Sequence, residues 1–431
     1  MNKIRIIILT ACIFHTCVPL DQPGNSSPAT QKKLIYDDHV YEKEIKTVQL
    51  YPTRNGSVEL TQPPIIPINQ LNHLVLSFDD LYNDVEDYRA KIIHCNTDWT
   101  PSRLSNMDYL DQYNEVRIDQ FEQSFNTRVP YIHYTLSLPK VKVTGNYIVA
   151  VYRGSNENDL ILTKRFMIFS NDAIIKPNIG LSGAIVERNT NQQIEFEVSY
   201  AEFDIYNPLE EVSICIRQNQ RWDNAITDLK PTFINEGQRL LTYQHFDLKN
   251  NFKAGNEFRF FDLRSVNFPG QNVFETKLED NKISAFLMKD KNRSVEAFTH
   301  LNDLNGQYII EKVDASNPDI ESDYVNVHFF LEAPREISRN VHIIGALTDW
   351  HQNQNNKMYY EPELKGYVGK LLLKQGWYNY LYYTNSPDNS NPYQFEGSHY
   401  QTNNFYEILV YYRPIGGRAD QLIGYQRFNS Q

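Results

Sequence analysis

Strand-like segments recur along this chain, and no segment keeps a helical period long enough to compete with them. In residues 193–200 apolar side chains alternate with polar or charged ones, which is the pattern of a strand that buries one face. Residues 160–169 and 324–331 are further strand candidates, and Asn, Asp or Pro follows each of them. The 29 Tyr and 23 Phe are many for 431 residues, and aromatic side chains favour strands. The sequence therefore predicts an all-β fold.

A three-residue pattern indicates how many domains the chain contains. Gly, any residue and Tyr occur in this order before a predicted strand at residues 145–147, 306–308 and 376–378. In β-sandwiches a Tyr at the start of a late strand often donates its hydroxyl to the preceding corner. Three copies therefore predict three tandem immunoglobulin-like or fibronectin-like β-sandwiches. The alternative is three unrelated hairpin turns.

Polar segments at residues 171–172 and 314–319 separate the predicted domains. Residues 104–123 are expected to hold a short helix or an irregular loop. The expected division is a signal peptide at 1–17, a tether at 18–34, an N-terminal β-sandwich at 35–171, a middle β-domain at 172–318 and a C-terminal immunoglobulin-like β-sandwich at 319–431.

The N-terminus has the features of an export signal. Lys3 and Arg5 precede an apolar run at residues 6–14, which is too short to span a bilayer but long enough for a signal peptide. Cys17 closes this segment and a polar, Pro-containing tether follows, so Cys17 is the candidate for lipidation as in bacterial lipoprotein signals. Cys12 follows smaller residues, which such signals prefer, but leaves a very short apolar run. The alternative is cleavage without lipidation and a soluble periplasmic protein.

The charge of the chain argues against several classes of ligand. The chain has 42 basic and 53 acidic residues, and without Lys3 and Arg5 the 40 remaining basic residues leave a net charge of −13. Such a surface is unfavourable for binding nucleic acid or anionic lipid. No later segment approaches the ~20 apolar residues of a membrane-spanning helix. Export permits a disulfide, but Cys95 and Cys215 lie in different predicted domains, so both are expected to be buried thiols.

None of the strong catalytic or cofactor motifs occurs in the sequence, among them H-E-x-x-H, G-x-S-x-G, the Walker loop, paired C-x-x-C and the EF-hand loop. We therefore expect no enzymatic activity, no cofactor and no metal. His94 and Cys95 could suggest a nucleophile beside its base. They are neighbours at the end of a predicted strand, however, where successive side chains point to opposite faces. We expect one buried thiol and one hydrogen-bonded imidazole.

An acidic cluster comprises Asp79, Asp80, Asp84, Glu86 and Asp87. These side chains could act as glycosidase carboxylates or calcium ligands. No Gly-containing ligand loop surrounds them, so a solvated turn between two strands is expected.

Two tryptophans in the predicted C-terminal domain suggest an alternative function. Residues 343–350 form a strand that ends in Gly, a short loop and Trp350, which resembles the starch- and glycogen-binding branch of immunoglobulin-like domains. If Trp350 and Trp377 are exposed, their indole faces could stack on sugar rings. Trp is as often the core residue of such a sandwich. An envelope protein that binds carbohydrate through its C-terminal sandwich is therefore one of two alternative functions.

Four parts of the chain have a recognisable sequence: residues 76–81 (LSFDDL), residues 93–102 (IHCNTDWTPS), residues 124–127 with 131–134 and 138–139, and residues 395–403 with 406–414 and 420–425. Together they resemble the plug proteins of the type IX secretion system of Bacteroidota. The order and spacing of these segments also match, and the resemblance runs from about residue 35 to the end. The middle domain contributes few recognisable segments. Asp111 and Gln112 stand where the family usually has Gly after Tyr-Leu, a departure within a loop.

This resemblance implies a non-enzymatic periplasmic protein at the inner face of the outer membrane. Such a protein docks under the periplasmic opening of a very large outer-membrane translocon barrel and closes it while no substrate is in transit. The translocon is then the expected partner, and membrane contact is expected only through that partner and a lipid on Cys17. Closure of a pore is steric, so the resemblance implies no catalytic residues.

Overall fold

The computed structural model describes residues 32–430 except 55, 70–72, 83, 202, 280–281 and 386–390. Strands make up 45% and helices 5%, arranged in several antiparallel sheets, which confirms the predicted all-β fold of tandem sandwiches. The predicted signal peptide and both candidate lipidation sites, Cys12 and Cys17, lie outside the described residues. None of the helices in the described part of the chain is long and apolar enough to cross a membrane.

The first unit, residues 39–169, packs two sheets around one core. One sheet has the spatial order His39–Val40, Leu160–Phe169, Gly145–Arg153, Tyr88–Cys95 and Val116–Arg117, with Ile65–Pro67 added in parallel to Leu160–Phe169. The other has the order Ser57–Val58, Ile45–Arg54, His73–Asp80, Ile132–Ser137 and Gln120–Gln123. Leu76 and Tyr134 of one sheet and Val149 of the other share the core. The segment 104–123 holds the short helix Asn106–Tyr109 followed by two short strands.

The middle unit combines residues 174–253 with the last two strands of the chain. Its first sheet contains Ile174–Leu181, Asn191–Ser199, Leu240–Tyr243 and Phe233–Asn235 in that order, and Asn251–Lys253 pairs with Asn191–Ser199. Its second sheet has the order Ile226–Thr227, Val212–Gln218, Phe405–Tyr412 and Gln421–Asn429. The 3-10 helix Ile185–Glu187 and the helix Pro208–Glu211 lie in its loops. The predicted alternation is confirmed, since Ile194, Phe196 and Val198 are buried.

The third unit, residues 259–384, is a nine-stranded sheet that folds over a single core. Its order is Arg259–Asp262, Gly376–Thr384, Val341–Ile344, Lys357–Glu361, Gly366–Lys374, Tyr324–Glu332, Lys282–Leu287 and Val273–Glu279, with Tyr308–Ile310 also paired to Gly376–Thr384. Phe261 from one half contacts Phe329 from the other, with ring centroids 5.7 Å apart, so the two halves face each other. The helix Pro318–Glu321 and the 3-10 helix Ala346–Thr348 lie in its connections.

Strand pairing crosses the boundary expected at residue 318. Phe405–Tyr412 pairs with Val212–Gln218, and Arg259–Asp262 pairs with Gly376–Thr384. The reason is that the second middle sheet would otherwise hold only one strand longer than two residues, so the final hairpin returns to complete it. We therefore propose a discontinuous middle domain, into which the third unit is inserted.

Two of the three Gly-x-Tyr segments form the predicted corner. The Tyr147 hydroxyl donates to the Val143 carbonyl at 2.6 Å, and the Tyr378 hydroxyl donates to the Lys374 carbonyl at 2.5 Å. Tyr308 instead stacks on Tyr378, with ring centroids 5.2 Å apart, because their strands are neighbours in one sheet. The pattern therefore does not count the sandwiches, although the described structure does contain three units.

Candidate functional site

Buried polar and apolar contacts hold the three units against one another. We call these contacts the Asp79 seam, the Asp420 seam and the Arg221 seam, each after its central residue. Among the described residues, no group of three or more His, Cys, Asp or Glu side chains is placed to hold a metal ion. The seams are the candidate functional site, since they fix the shape of the whole body.

The Asp79 seam joins the first unit to the third. Asp79 lies opposite His133 in the register of the first unit, and Tyr324 lies opposite Lys374 in the third. The two pairs meet: Asp79 Oδ1 is 2.7 Å from His133 Nδ1, while Oδ2 accepts hydrogen bonds from Lys374 Nζ and Tyr324 Oη, both at 2.6 Å. The Asp79 side chain is fully buried and that of Lys374 is 1% exposed. A complete buried ion pair therefore crosses between the units.

Electrostatics favour the ionised form of the Asp79 carboxyl. Burial acts to raise the pKa of Asp79, but the charges of Lys374 and His133 outweigh burial and hold that pKa below its usual value. Lys374 Nζ also lies 4.2 Å from the ring centroid of Tyr131, whose hydroxyl donates to the Ser322 carbonyl at 2.9 Å. Removal of either charged partner would leave the other buried without its opposite charge in the Asp79–Lys374 pair.

The Asp420 seam joins the first unit to the final hairpin of the middle unit. Asp420 Oδ2 accepts hydrogen bonds from the backbone N–H and the hydroxyl of Thr97, at 2.8 and 2.9 Å. Its Oδ1 accepts from Arg413 Nε at 2.6 Å, and Arg413 Nη2 donates to Asn96 Oδ1 at 2.8 Å. The turn that follows Tyr88–Cys95 is thereby fixed to the loop between the last two strands.

An apolar cluster continues the Asp420 seam beneath these hydrogen bonds. It contains residues of both units, among them Cys95, Ile148 and Met167 from the first and Cys215, Leu409 and Leu422 from the middle. At its edge the rings of Trp99 and Trp222 meet edge to face, 5.0 Å apart. The Arg165 guanidinium lies 5.3 and 5.1 Å from these two rings. The first and middle units therefore share one core.

The Arg221 seam joins the middle unit to the third. Arg221 has a side chain only 2% exposed, and it donates to Tyr393 Oη at 2.9 Å and to Asp223 Oδ2 at 2.6 Å. Its guanidinium also lies 4.8 Å from the Trp350 ring. Every pair of units is therefore joined by at least one buried charged side chain.

The structure corrects the expectation for part of the acidic cluster. Asp79 and Asp80 are fully buried rather than solvated, because their strand end is covered by the third unit and by Tyr88, whose hydroxyl donates to Asp80 Oδ2 at 2.8 Å. Asp84 is exposed, as expected of a turn. Glu86 and Asp87 are half-buried, and Asp87 forms ion pairs with two arginines, Arg89 and Arg117.

His94 and Cys95 project to opposite faces, as expected of neighbours in a strand. His94 packs inside the first unit, where its Nε2 is 3.2 Å from the Thr144 carbonyl oxygen and burial lowers its pKa. Cys95 points into the Asp420 seam. Burial raises the pKa of the thiols of Cys95 and Cys215 to about 12, and both are buried free cysteines, as predicted.

The two tryptophans of the carbohydrate hypothesis do not form an exposed platform. Trp350 is 7% exposed and packs against Phe258 and Arg221. Trp377 is half-buried, and its ring is stacked on Phe260 at 4.9 Å. Trp350 is thus a core residue of the seam, the alternative that the sequence left open.

Sequence reasoning missed the residues that form the seams. Nothing local marks Lys374 or Asp420, since each is a single charged residue at or beside the end of a strand. The available signal was the resemblance itself, because residues 76–81 contain Asp79 and residues 93–102 contain the turn bound by Asp420. The recognisable segments of the sequence are largely those that hold the units together.

The fold and the seams define a class of protein: a multi-unit β-sandwich body whose buried charges join its units. Residues 45–170, which cover all of the first unit except its first strand, match the family model described as "Type 9 secretion system plug protein 1st domain". The chain belongs to the plug protein family of the type IX secretion system, which associates it with that system and with the cell envelope.

A solved structure supports the whole fold. The chain is similar to a hypothetical protein from Parabacteroides merdae, with 32% sequence identity and a TM-score of 0.86. The match covers 92% of this chain and 100% of that one, so the similarity extends over all three units. No curated protein matches the chain.

Proposed function

We propose that this protein is a non-enzymatic plug that docks on the periplasmic opening of the type IX secretion translocon and closes it at rest. Membership of the plug family supports this proposal. The observation that carries it is the set of buried seams, in which charged side chains and a shared apolar cluster join the units.

The physical argument rests on stiffness. A wide barrel left open would leak small solutes across the outer membrane, and a steric seal works only if the sealing body keeps its shape. Contacts between domains are often modest and polar, and relative motion is then the default. Here the first and middle units share one apolar core and Asp79 is fully buried against the third unit. A body of this kind resists bending at its domain boundaries.

The same proposal places the protein in the periplasm, at the inner face of the outer membrane. Lipidation of Cys17 would raise its concentration near the translocon by confining it to the membrane surface. The translocon barrel is the proposed partner.

Docking and sealing can be tested separately. In a strain that lacks the protein, we expect increased sensitivity to antibiotics that are normally too large to cross the outer membrane, while secretion continues at least in part. Affinity-tagged protein should co-purify with the translocon from native outer membranes. Lys374→Met, which breaks the Asp79 seam, should still co-purify but restore the permeability barrier less well than Lys370→Met, an exposed control on the same strand.

Two results together would refute the plug assignment. They are unchanged permeability in the deletion strain and failure of the tagged protein to capture the translocon. Equal sealing by both lysine variants, at equal protein levels, would instead remove stiffness as the reason for sealing.

A further inference from the structure

Three large apolar side chains project into solvent at one end of the middle unit. Ile185 and Val186 are 78% and 89% exposed, and Phe246 is 93% exposed. Single exposed apolar residues are ordinary on protein surfaces, but a group of them marks an interaction site. These three residues come from two separate loops, 182–190 and 244–250. We call the two loops together the apex.

The two loops of the apex are held together by hydrogen bonds. The Gln193 side chain joins them, since its Oε1 accepts from the Gly183 N–H at 2.8 Å and its Nε2 donates to the His245 carbonyl at 2.9 Å. Asn251 Nδ2 donates to Glu187 Oε2 at 2.7 Å. A Cβ atom at Gly183 would lie 3.4 Å from Leu248, so the loops are also in close contact. The apolar side chains are therefore presented on a fixed base.

The charges around the apex differ from those of the chain as a whole, whose net charge is −11. Glu187 is turned inward to Asn251, and Asp247 is paired with Lys249 at 2.8 Å. Arg188 is exposed and forms no ion pair in the described part of the chain. These four charged side chains sum to zero, and the exposed guanidinium of Arg188 beside the apolar groups can contact lipid phosphates.

We propose that the apex inserts into a lipid surface at the boundary between headgroups and acyl chains. The three side chains carry no hydrogen-bonding groups and project outward, so they fit a fluid surface. Protein hot spots, in contrast, are rich in Trp, Tyr and Arg that fill pockets. Shallow insertion to roughly 5–10 Å is the depth at which peripheral proteins bury such groups. The contact is independent of the translocon and would orient the body at the membrane.

The test uses the full chain produced in the cytoplasm without lipidation, and vesicles of phosphatidylethanolamine with phosphatidylglycerol. We expect co-sedimentation with the vesicles, and a loss of partitioning of roughly tenfold or more in the double variant Val186→Glu/Phe246→Glu. Arg188→Gln should weaken binding only to vesicles that contain phosphatidylglycerol. In Phe246→Trp, brominated lipids should quench the emission component added by the new indole.

Met107→Glu is the matched control. Met107 is 85% exposed, and its neighbour Asp108 contacts Arg418 in the loop that follows Phe405–Tyr412. Asn404, just before the other end of strand Phe405–Tyr412, contacts Gln192 near the apex. Met107 is therefore at the opposite end of this strand from the apex. Thermal melts of all variants check folding.

No vesicle binding by the unmodified chain, or equal binding by the double variant, overturns the proposal. If the unmodified chain does not bind vesicles, and the double variant fails to capture the translocon, the apex docks on protein instead of lipid. Vesicle binding without any plug activity would support the lipid contact and contradict only the proposed function.

Discussion

Lys374→Met should strongly destabilise the contact between the first and third units. The side chains of Lys374 and Asp79 are 1% and 0% exposed and their charged atoms are 2.6 Å apart. Met has a similar length and fills the same space, so the change removes the charge and leaves the packing largely in place. Because Asp79 would stay buried with only His133 and Tyr324 as side-chain partners, we expect a loss of about 3–5 kcal/mol.

Three measurements test this prediction. Urea unfolding gives the free energy of unfolding, calorimetry gives the thermal transition, and hydrogen exchange shows where the loss occurs. The loss should concentrate at the seam, so amides of strand Tyr324–Glu332 should exchange faster and the thermal transition should broaden or split. Lys370→Met makes the same change at an exposed position of strand Gly366–Lys374, which also contains Lys374. It should cost under about 0.5 kcal/mol.

A double variant separates the lost charge pair from lost packing. Asp79→Asn/Lys374→Met removes both charges of the Asp79–Lys374 pair, so it should be more stable than Lys374→Met alone. If Lys374→Met costs no more than Lys370→Met, or if the double variant is the least stable of the set, the Asp79 seam does not join the units by its charges.

Three further changes test other parts of the protein. Burial and, to a smaller extent, the charge of Asp303 raise the pKa of Glu257 to about 7. Burial raises the pKa of Asp303 to about 6. Raised pKa values mean that stability present at low pH is lost as pH rises through about 6–7, so Glu257→Gln should flatten this decline in unfolding experiments between pH 5 and 8. Tyr147→Phe removes the hydrogen bond to the Val143 carbonyl and should cost about 1 kcal/mol by urea unfolding; an unchanged midpoint would contradict this role. Labelled palmitate should be incorporated into the wild-type protein but not into Cys17→Ala, and incorporation that survives this change would assign the lipid to another cysteine.

The sequence alone determined the fold class and the family. The alternation in residues 193–200 specifies a strand with one buried face, and the structure buries Ile194 and Phe196 as that period requires. The neighbours His94 and Cys95 could be assigned to opposite faces for the same reason. These results are local, because the period of a strand is set by its own backbone.

Only the tertiary structure decided which elements meet. A local pattern indicates that one face of a strand is buried, but not which element covers it. The pairing of Phe405–Tyr412 with Val212–Gln218 could therefore not be predicted from either strand. Asp79 is the clearest case: its sequence context predicts a solvated turn, and it is buried because Lys374, 295 positions away, supplies the charge that makes burial possible. A buried carboxylate needs charges or hydrogen-bond donors in place of its water, and Lys374 comes beside Asp79 only once distant strands have packed.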